Sequence, residues 1–144
     1  MNGTLTSRDR IQGALWGAVL GDALGVPVEF TDRSLRQLEH FRRLSPNQLP
    51  QLPEHAIQSS GYVMDTLTAS IWCLLNTRSY PEAVLQAVNL GEDTDTTGIA
   101  TGGLAGLVYG HSSVPEAWTR TLARHADLEV LFGRFTTHCL QLQN

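Results

Sequence analysis

Within the segment Gly91-Glu92-Asp93-Thr94-Asp95-Thr96, the carboxylates of Asp93 and Asp95 and the hydroxyl of Thr96 fall within four residues. At the start of a helix, Asp93, Asp95 and the Thr96 hydroxyl form an all-oxygen donor set suited to a hard cation such as Mg²⁺. A plainer role fits the same residues, because aspartate and threonine cap helices by bonding their free N–H groups. The pattern D-x-D-T is too short to choose between the two. Two further carboxylates, Asp22 and Glu29, close the first apolar segment of the chain.

What could bring these acids together is a pair of glycine rows. Gly13, Gly17, Gly21 and Gly25 recur every four residues, and so do Gly98, Gly102, Gly106 and Gly110. Glycine inside a helix costs about 1 kcal/mol relative to alanine, so each row needs a compensating cause, and close approach of two helix backbones supplies one. If those helices pack antiparallel, the end of the first, with Asp22 and then Glu29, lies beside the start of the second, with Asp93 and Asp95. Carboxylates so gathered repel one another unless a cation joins them, and the positive end of a helix favours anions there.

Around these rows the periodicity is helical throughout, and no segment alternates apolar and polar residues long enough for a strand. The expected fold is all-α, a single domain over residues 1–144 with six or seven helices. The first helix is predicted over 7–24 with Ser7 as cap and Gly25 and Pro27 ending it, and an Arg-rich second over 35–44, opened by Asp32 or by a Ser34/Gln37 box. Residues 45–60, SPNQLPQLPEHAIQSS, read as a linker or surface loop. A helix over 63–76 should bury Leu67, Ile71, Leu74 and Leu75. Capping boxes at Ser79/Glu82 and at Ser113/Glu116, each enclosing a proline, open helices reaching about 90 and 125, and Asp127 caps a last helix ending near 140.

Composition narrows the function classes. Ten basic residues, all arginine, stand against fourteen acidic ones, a net charge of −4 that opposes nucleic-acid binding by phosphate neutralisation. The apolar run 11–28 contains Gln12, Asp22 and Pro27, which suits a core helix and not a membrane span. The polar lead into Arg8, Asp9 and Arg10 has no leader character, so the whole chain is expected to be the mature protein. Cys73 and Cys139 form neither a disulfide framework nor a zinc pattern, and a cytoplasmic location is expected. His40, His55, His111, His125 and His138 show no ligand-like spacing.

Three blocks resemble a known family. Residues 13–30, GALWGAVLGDALGVPVEF, resemble the opening of the ADP-ribosylglycohydrolases, which include the dinitrogenase reductase-activating glycohydrolases. Ser60-Gly61-Tyr62-Val63-Met64-Asp65-Thr66-Leu67 is similar to the family's S-G-Y-V-x-D-T-L segment. Residues 87–96, AVNLGEDTDT, with the glycine-rich helix and Val114-Pro115-Glu116-Ala117-Trp118 behind them, are similar to its C-terminal metal-binding region. The resemblance implies an all-α fold, two Mg²⁺ or Mn²⁺ ions, and hydrolysis of the bond joining ADP-ribose to an acceptor such as arginine. It also implies roles for particular residues. Asp93, Asp95 and Thr96 would be metal ligands, Glu29 the acid near the scissile bond, and Ser60, Gly61 and Tyr62 nucleotide contacts, with Asp22 and Gly91 as further ligand-binding positions.

The same comparison implies a loss. Family members carry a T-D-D motif after the first block, followed by a long helical region, whereas this chain runs from the Arg-rich segment straight into the S-G-Y-V block. Thr31-Asp32-Arg33 holds the only T-D in that region and reads as a helix cap. An internal deletion near 45–58 is therefore expected, and with it loss of half the dinuclear site. Three readings follow: a shortened hydrolase with reduced activity, an inactive ADP-ribose-binding module, or a structural or partner-binding relic. A cap needs only one of Asp93, Asp95, Thr96 and Glu29, so their joint retention favours metal or ligand contact. The missing helices should uncover apolar faces, which points to a homodimer. Membrane and nucleic acid are not expected as partners.

Overall fold

Gly13 faces Gly106 and Gly17 faces Gly102 so closely that a Cβ at any of the four would come within 3.0 Å of backbone atoms of the opposite helix. These contacts fix the register of the two central elements, α1 (Ser7–Gly25) and α4 (Thr94–Tyr109), as antiparallel. Four glycines of the two rows thus form the expected helix–helix seam. The computed structural model describes residues 5–25 and 47–141, with only the helical backbone for 18–25. The expected Arg-rich helix lies outside the described residues.

Among the described residues there are six α-helices and no strand. Besides α1 and α4 they are α2 (Val63–Asn76), α3 (Tyr80–Asn89), α5 (Glu116–Arg120) and α6 (His125–Gln141). None is long and apolar enough to cross a membrane. Side chains tie the seam at its outer end: Arg10 Nη1 donates to the Leu107 carbonyl at 2.8 Å, and Asp9 Oδ1 accepts from the Ser112 N–H at 3.3 Å. Trp16 of α1 is buried between the ring of His125, 5.2 Å away, and an edge-on Phe132 at 5.1 Å, which fastens α6 to the pair. Tyr80 is fully buried in the same core, and burial pushes its phenol pKa upward. Its hydroxyl donates to the Gly17 carbonyl at 3.4 Å.

Several local expectations are corrected. Thr6, not Ser7, caps α1, with Asp9 N–H donating to its hydroxyl at 3.1 Å. Half of the Ser79/Glu82 box forms: Glu82 N–H reaches Ser79 Oγ at 3.4 Å, whereas Glu82 Oε2 accepts at 3.0 Å from the N–H of Arg78, one residue before the cap. Ser113 caps nothing; its hydroxyl turns back to the Gly110 carbonyl at 2.6 Å, and α5 stops at Arg120, well before 125. Asp127 lies inside α6, paired with Arg124 at 2.7 Å.

The proline-rich segment is not a free surface loop. It forms two short 3₁₀ turns, Leu49–Gln51 and Glu54–Ala56, and buries Leu49 and Ile57 against Trp72 and Cys73 of α2. Trp72 Nε1 donates to the Leu52 carbonyl at 3.0 Å, so α2 anchors the segment by a polar bond as well as by packing. Burial in this second core cluster pushes the Cys73 thiol up to about 12, with Glu54 adding to the effect.

The buried stripe expected on α2 is also wrong. Leu67 and Leu75 are exposed and Ile71 and Leu74 half-buried, while Asp65, Thr66, Thr68, Ala69, Ser70, Trp72 and Cys73 face inward. The neighbour on this side is α4, whose Thr94, Thr97 and Thr101 are fully buried, and the inward hydroxyls of α2 find backbone carbonyls as acceptors, Thr66 those of Ser60 and Tyr62 and Thr68 that of Met64. Ser70 Oγ, for instance, reaches the Thr97 carbonyl at 3.4 Å.

Candidate functional site

Two helix starts meet at one end of the bundle. Tyr62 precedes α2 in extended conformation without a side-chain cap, and Asp93 caps α4 by accepting from Thr96 N–H at 3.3 Å. Asp95 Oδ1 accepts from the same N–H at 2.8 Å, so both carboxylates turn toward one point, the first turn of α4. Asp93 Oδ2 lies against Gly61, in the space that any side chain at position 61 would occupy. Asp93 and Asp95 are half-buried and Thr96 is exposed.

The two segments are clasped by reciprocal bonds. Ser59 donates its N–H to Glu92 Oε2 at 3.0 Å and its hydroxyl to the Gly91 carbonyl at 2.6 Å. Its own carbonyl accepts from Asp93 N–H at 3.2 Å and from the Thr97 hydroxyl at 3.4 Å. This turn requires left-handed backbone at Gly91 (φ 85°) and at Glu92 (φ 61°). A non-glycine residue there is uncommon, and the Glu92 bond to Ser59 helps hold it.

Behind the clasp, Ser60 donates to Asp65 Oδ2, Tyr62 N–H donates to Ser60 Oγ at 3.2 Å, and the Thr66 hydroxyl donates to the Ser60 carbonyl at 2.9 Å. Ser60, Asp65 and Thr66 are buried, which fixes the path of Gly61 and Tyr62 across the front of α4. Of the residues predicted from sequence, Ser60, Gly61, Tyr62, Gly91, Asp93, Asp95 and Thr96 are therefore drawn to one place. The register of the glycine seam carries the end of α1, where Asp22 stands, toward the start of α4. The Asp22 side chain and all of Glu29 lie outside the described residues. Sequence reasoning missed Ser59 and Glu92, whose adjacency to Ser60 and Asp93 was the available signal, and it passed over Asp65 and Thr66 as structural parts of the site.

The donor set at the start of α4 is two carboxylates and a hydroxyl, all hard oxygens within one turn, which fits Mg²⁺ or Mn²⁺. No third Asp, Glu, His or Cys joins Asp93 and Asp95 among the described residues. Water or ligand oxygens would have to complete a cation's shell there, as is usual for Mg²⁺.

Known proteins are similar to parts of this chain. The chain is 46% identical over 75 residues to ADP-ribosylarginine hydrolase Tri1 of Serratia proteamaculans (strain 568), covering 52% of this chain and 20% of the relative. It is 38% identical over 88 residues to the Tri1 protein of Pseudomonas putida (strain GB-1), covering 61% and 24%. It is 36% identical over 73 residues to the ADP-ribosyl-[dinitrogen reductase] glycohydrolase of Rhodospirillum rubrum, covering 51% and 25%. These alignments span a quarter or less of each relative. A solved structure titled "ADP-ribosylglycohydrolase-related protein complex" superposes with a TM-score of 0.57 at 33% identity, over 85% of this chain and 41% of that one. The sequence model described as ADP-ribosylglycohydrolase matches residues 3–48 and 32–143, nearly the whole chain, so the chain belongs to the ADP-ribosylglycohydrolase family.

Proposed function

We propose that this chain binds the ADP-ribosyl group of a modified protein or small molecule at the joint start of α2 and α4, with Mg²⁺ or Mn²⁺ held by Asp93, Asp95 and Thr96, and hydrolyses its glycosidic bond at a reduced rate. The observation that carries the reading is the convergence of the Asp93 and Asp95 carboxylates on one N–H beside Gly61. A helix cap is complete with one of them; the second leaves oxygen donors over. A divalent cation bound there supplies positive charge to ribose hydroxyls and to water.

The chain's own residues have separate tasks in this reading. Ser59, Ser60 and Glu92 hold the two segments in register, and the bare Gly61 leaves room for the Asp93 carboxylate. Tyr62 offers a ring to the nucleotide, Asp22 and Gly91 serve as further ligand-binding positions, and Glu29 moves the proton. The reduced rate follows from a single domain that lacks an internal region near 45–58 and the T-D-D ligands expected with it. Stabilisation of a transition state that depends on two metals falls by several kcal/mol when half the ligands go, roughly orders of magnitude in rate.

Calorimetric titration of ADP-ribose with Mg²⁺, and again with a chelator, tests the reading. Metal-dependent binding that disappears in Asp95→Asn is the expected result, followed by slow release of ADP-ribose from ADP-ribosylated arginine. Binding without any release would leave an inactive ADP-ribose-binding module. No binding in either condition would overturn the proposal in favour of a structural or partner-binding relic.

A further inference from the structure

Gly61 is exposed, yet its α-carbon has no room for a side chain. A Cβ there would fall within 3.0 Å of Asp93 Oδ2, while the next atoms of the same residue, Cγ and Cβ, stand at 3.4 and 3.9 Å, ordinary van der Waals contact. Backbone conformation is not what calls for glycine. The left-handed glycines among the described residues are Gly91 and Gly110, so the backbone at position 61 accepts alanine. Nor are the two chain segments free to draw apart. Asp93 N–H donates to the Ser59 carbonyl at 3.2 Å, and Ser59 N–H donates to Glu92 Oε2 at 3.0 Å. Ser60, buried, accepts from Tyr62 N–H at 3.2 Å and from the Thr66 hydroxyl at 2.9 Å. What can give way is the end of one side chain, the Asp93 carboxylate.

We propose that Gly61 is a positioning residue for Asp93: by lacking a side chain it leaves the carboxylate its seat, with Oδ1 on the Thr96 N–H and Oδ2 over Gly61. This rests on the cation site of the proposed function and gives Gly61 a task there other than touching a nucleotide. Gly61→Ala turns the carboxylate out of that seat. The fold loses little by it, because the Thr96 N–H keeps its shorter bond to Asp95 Oδ1, 2.8 Å against 3.3 Å to Asp93. Cation binding loses more, since a donor set of two carboxylates and a hydroxyl within one turn depends on where each of them points. Stability and metal affinity therefore come apart at this position. The glycines of the seam behave otherwise, because a Cβ at Gly17 or Gly102 meets backbone, and whole helices must move to relieve it.

The test is Mn²⁺ binding to the full chain without nucleotide, read from the paramagnetic resonance signal of the free ion, together with thermal melts in chelator. The wild type should bind Mn²⁺, and Gly61→Ala should bind it at least about tenfold more weakly, the loss typical when a group that orients a metal ligand is disturbed. In chelator the same variant should melt no lower than Asp93→Ala, which gives up that cap altogether. Gly133→Ala, where a Cβ meets nothing within 4 Å, should bind Mn²⁺ as the wild type does. Equal Mn²⁺ affinity in Gly61→Ala and wild type would overturn the assignment while leaving the cation site standing, and a change in ADP-ribose binding alone would make Gly61 a nucleotide contact instead. Unfolding of Gly61→Ala in chelator would overturn it too, since backbone and not a movable carboxylate would then fill the space. A wild type without affinity for Mn²⁺ would refute the cation site itself, and the assignment with it.

Discussion

Gly17→Ala and Gly133→Ala are the same substitution inside a helix and should have opposite signs. In isolation each gains up to about 1 kcal/mol from helix propensity. At Gly133, in α6, a Cβ meets nothing within 4 Å, so the gain should be kept. At Gly17 the Cβ would fall within 3.0 Å of the Gly102 carbonyl carbon and oxygen. Backbone cannot change rotamer, so relief requires α1 and α4 to separate, and the Tyr80 bond to the Gly17 carbonyl shifts with them. Overpacking of this kind costs about 1–3 kcal/mol, and a clash against backbone belongs at the upper end, leaving a net loss of about 2 kcal/mol. For a domain of this size that is roughly 4–8 °C of melting temperature, against a rise of about 2–4 °C for Gly133→Ala. Urea unfolding followed by circular dichroism should show opposite midpoint shifts with an unchanged slope. The double variant Gly17→Ala/Gly102→Ala should lose less than the sum of the singles, because the first already forces the helices apart. A Gly17→Ala protein as stable as Gly133→Ala would refute the seam.

Three further outcomes follow from the same contacts. Asp93→Ala should lose about 1 kcal/mol of capping and, on the proposed function, all thermal stabilisation by Mg²⁺; equal destabilisation with and without Mg²⁺ would leave only the cap. Glu92→Ala and Glu92→Gly both lose the bond to Ser59, but only alanine keeps the cost of a left-handed backbone, so the glycine variant should be the more stable by about 1 kcal/mol in thermal melts. Burial favours the neutral thiol of Cys73, so its contribution is intact below pH 9.0 and is lost as pH rises toward about 12, with Tyr80 acting in the same direction from 10.0. The chain has no lysine to titrate in that window. The slope of stability against pH should be flatter in Cys73→Ala by up to about 1.4 kcal/mol per unit.

What was legible in the sequence was whatever a short spacing dictates. Glycines every four residues have one economical cause, and the seam follows from them together with its antiparallel sense, which sends the end of α1 toward Asp93. The Ser79 cap is likewise local and forms, although Glu82 reaches past it to Arg78. The stripe on α2 failed because apolar periodicity does not register that inward hydroxyls can be satisfied by carbonyls: the rule assigned Leu67 and Leu75 to the core, whereas Thr66 turned inward onto the Ser60 carbonyl and Ser70 onto that of Thr97. Ser113 failed for a related reason, since the same short motif can bond forward to a helix or back to Gly110. At the site, Asp93, Asp95 and Thr96 stood out by composition. The clasp of Ser59 and Glu92 joins residues 33 positions apart, and no local pattern announces a bond of that reach.

The seam also sets an order of events during folding. Helices α2, α3 and α4 are consecutive and touch one another, so they can assemble from local encounters. Helix α1 is synthesised first, yet its polar ties to the far end of the seam span 97 residues for Arg10 to Leu107 and 103 for Asp9 to Ser112. At about 5–20 residues per second, the N-terminal helix waits several seconds on the ribosome for its groove to emerge. The long loop must then close before any of these contacts is gained, which makes docking of α1 the late step. Until then the glycine face of α4 is bare backbone at Gly102 and Gly106, without the helix that closes over it.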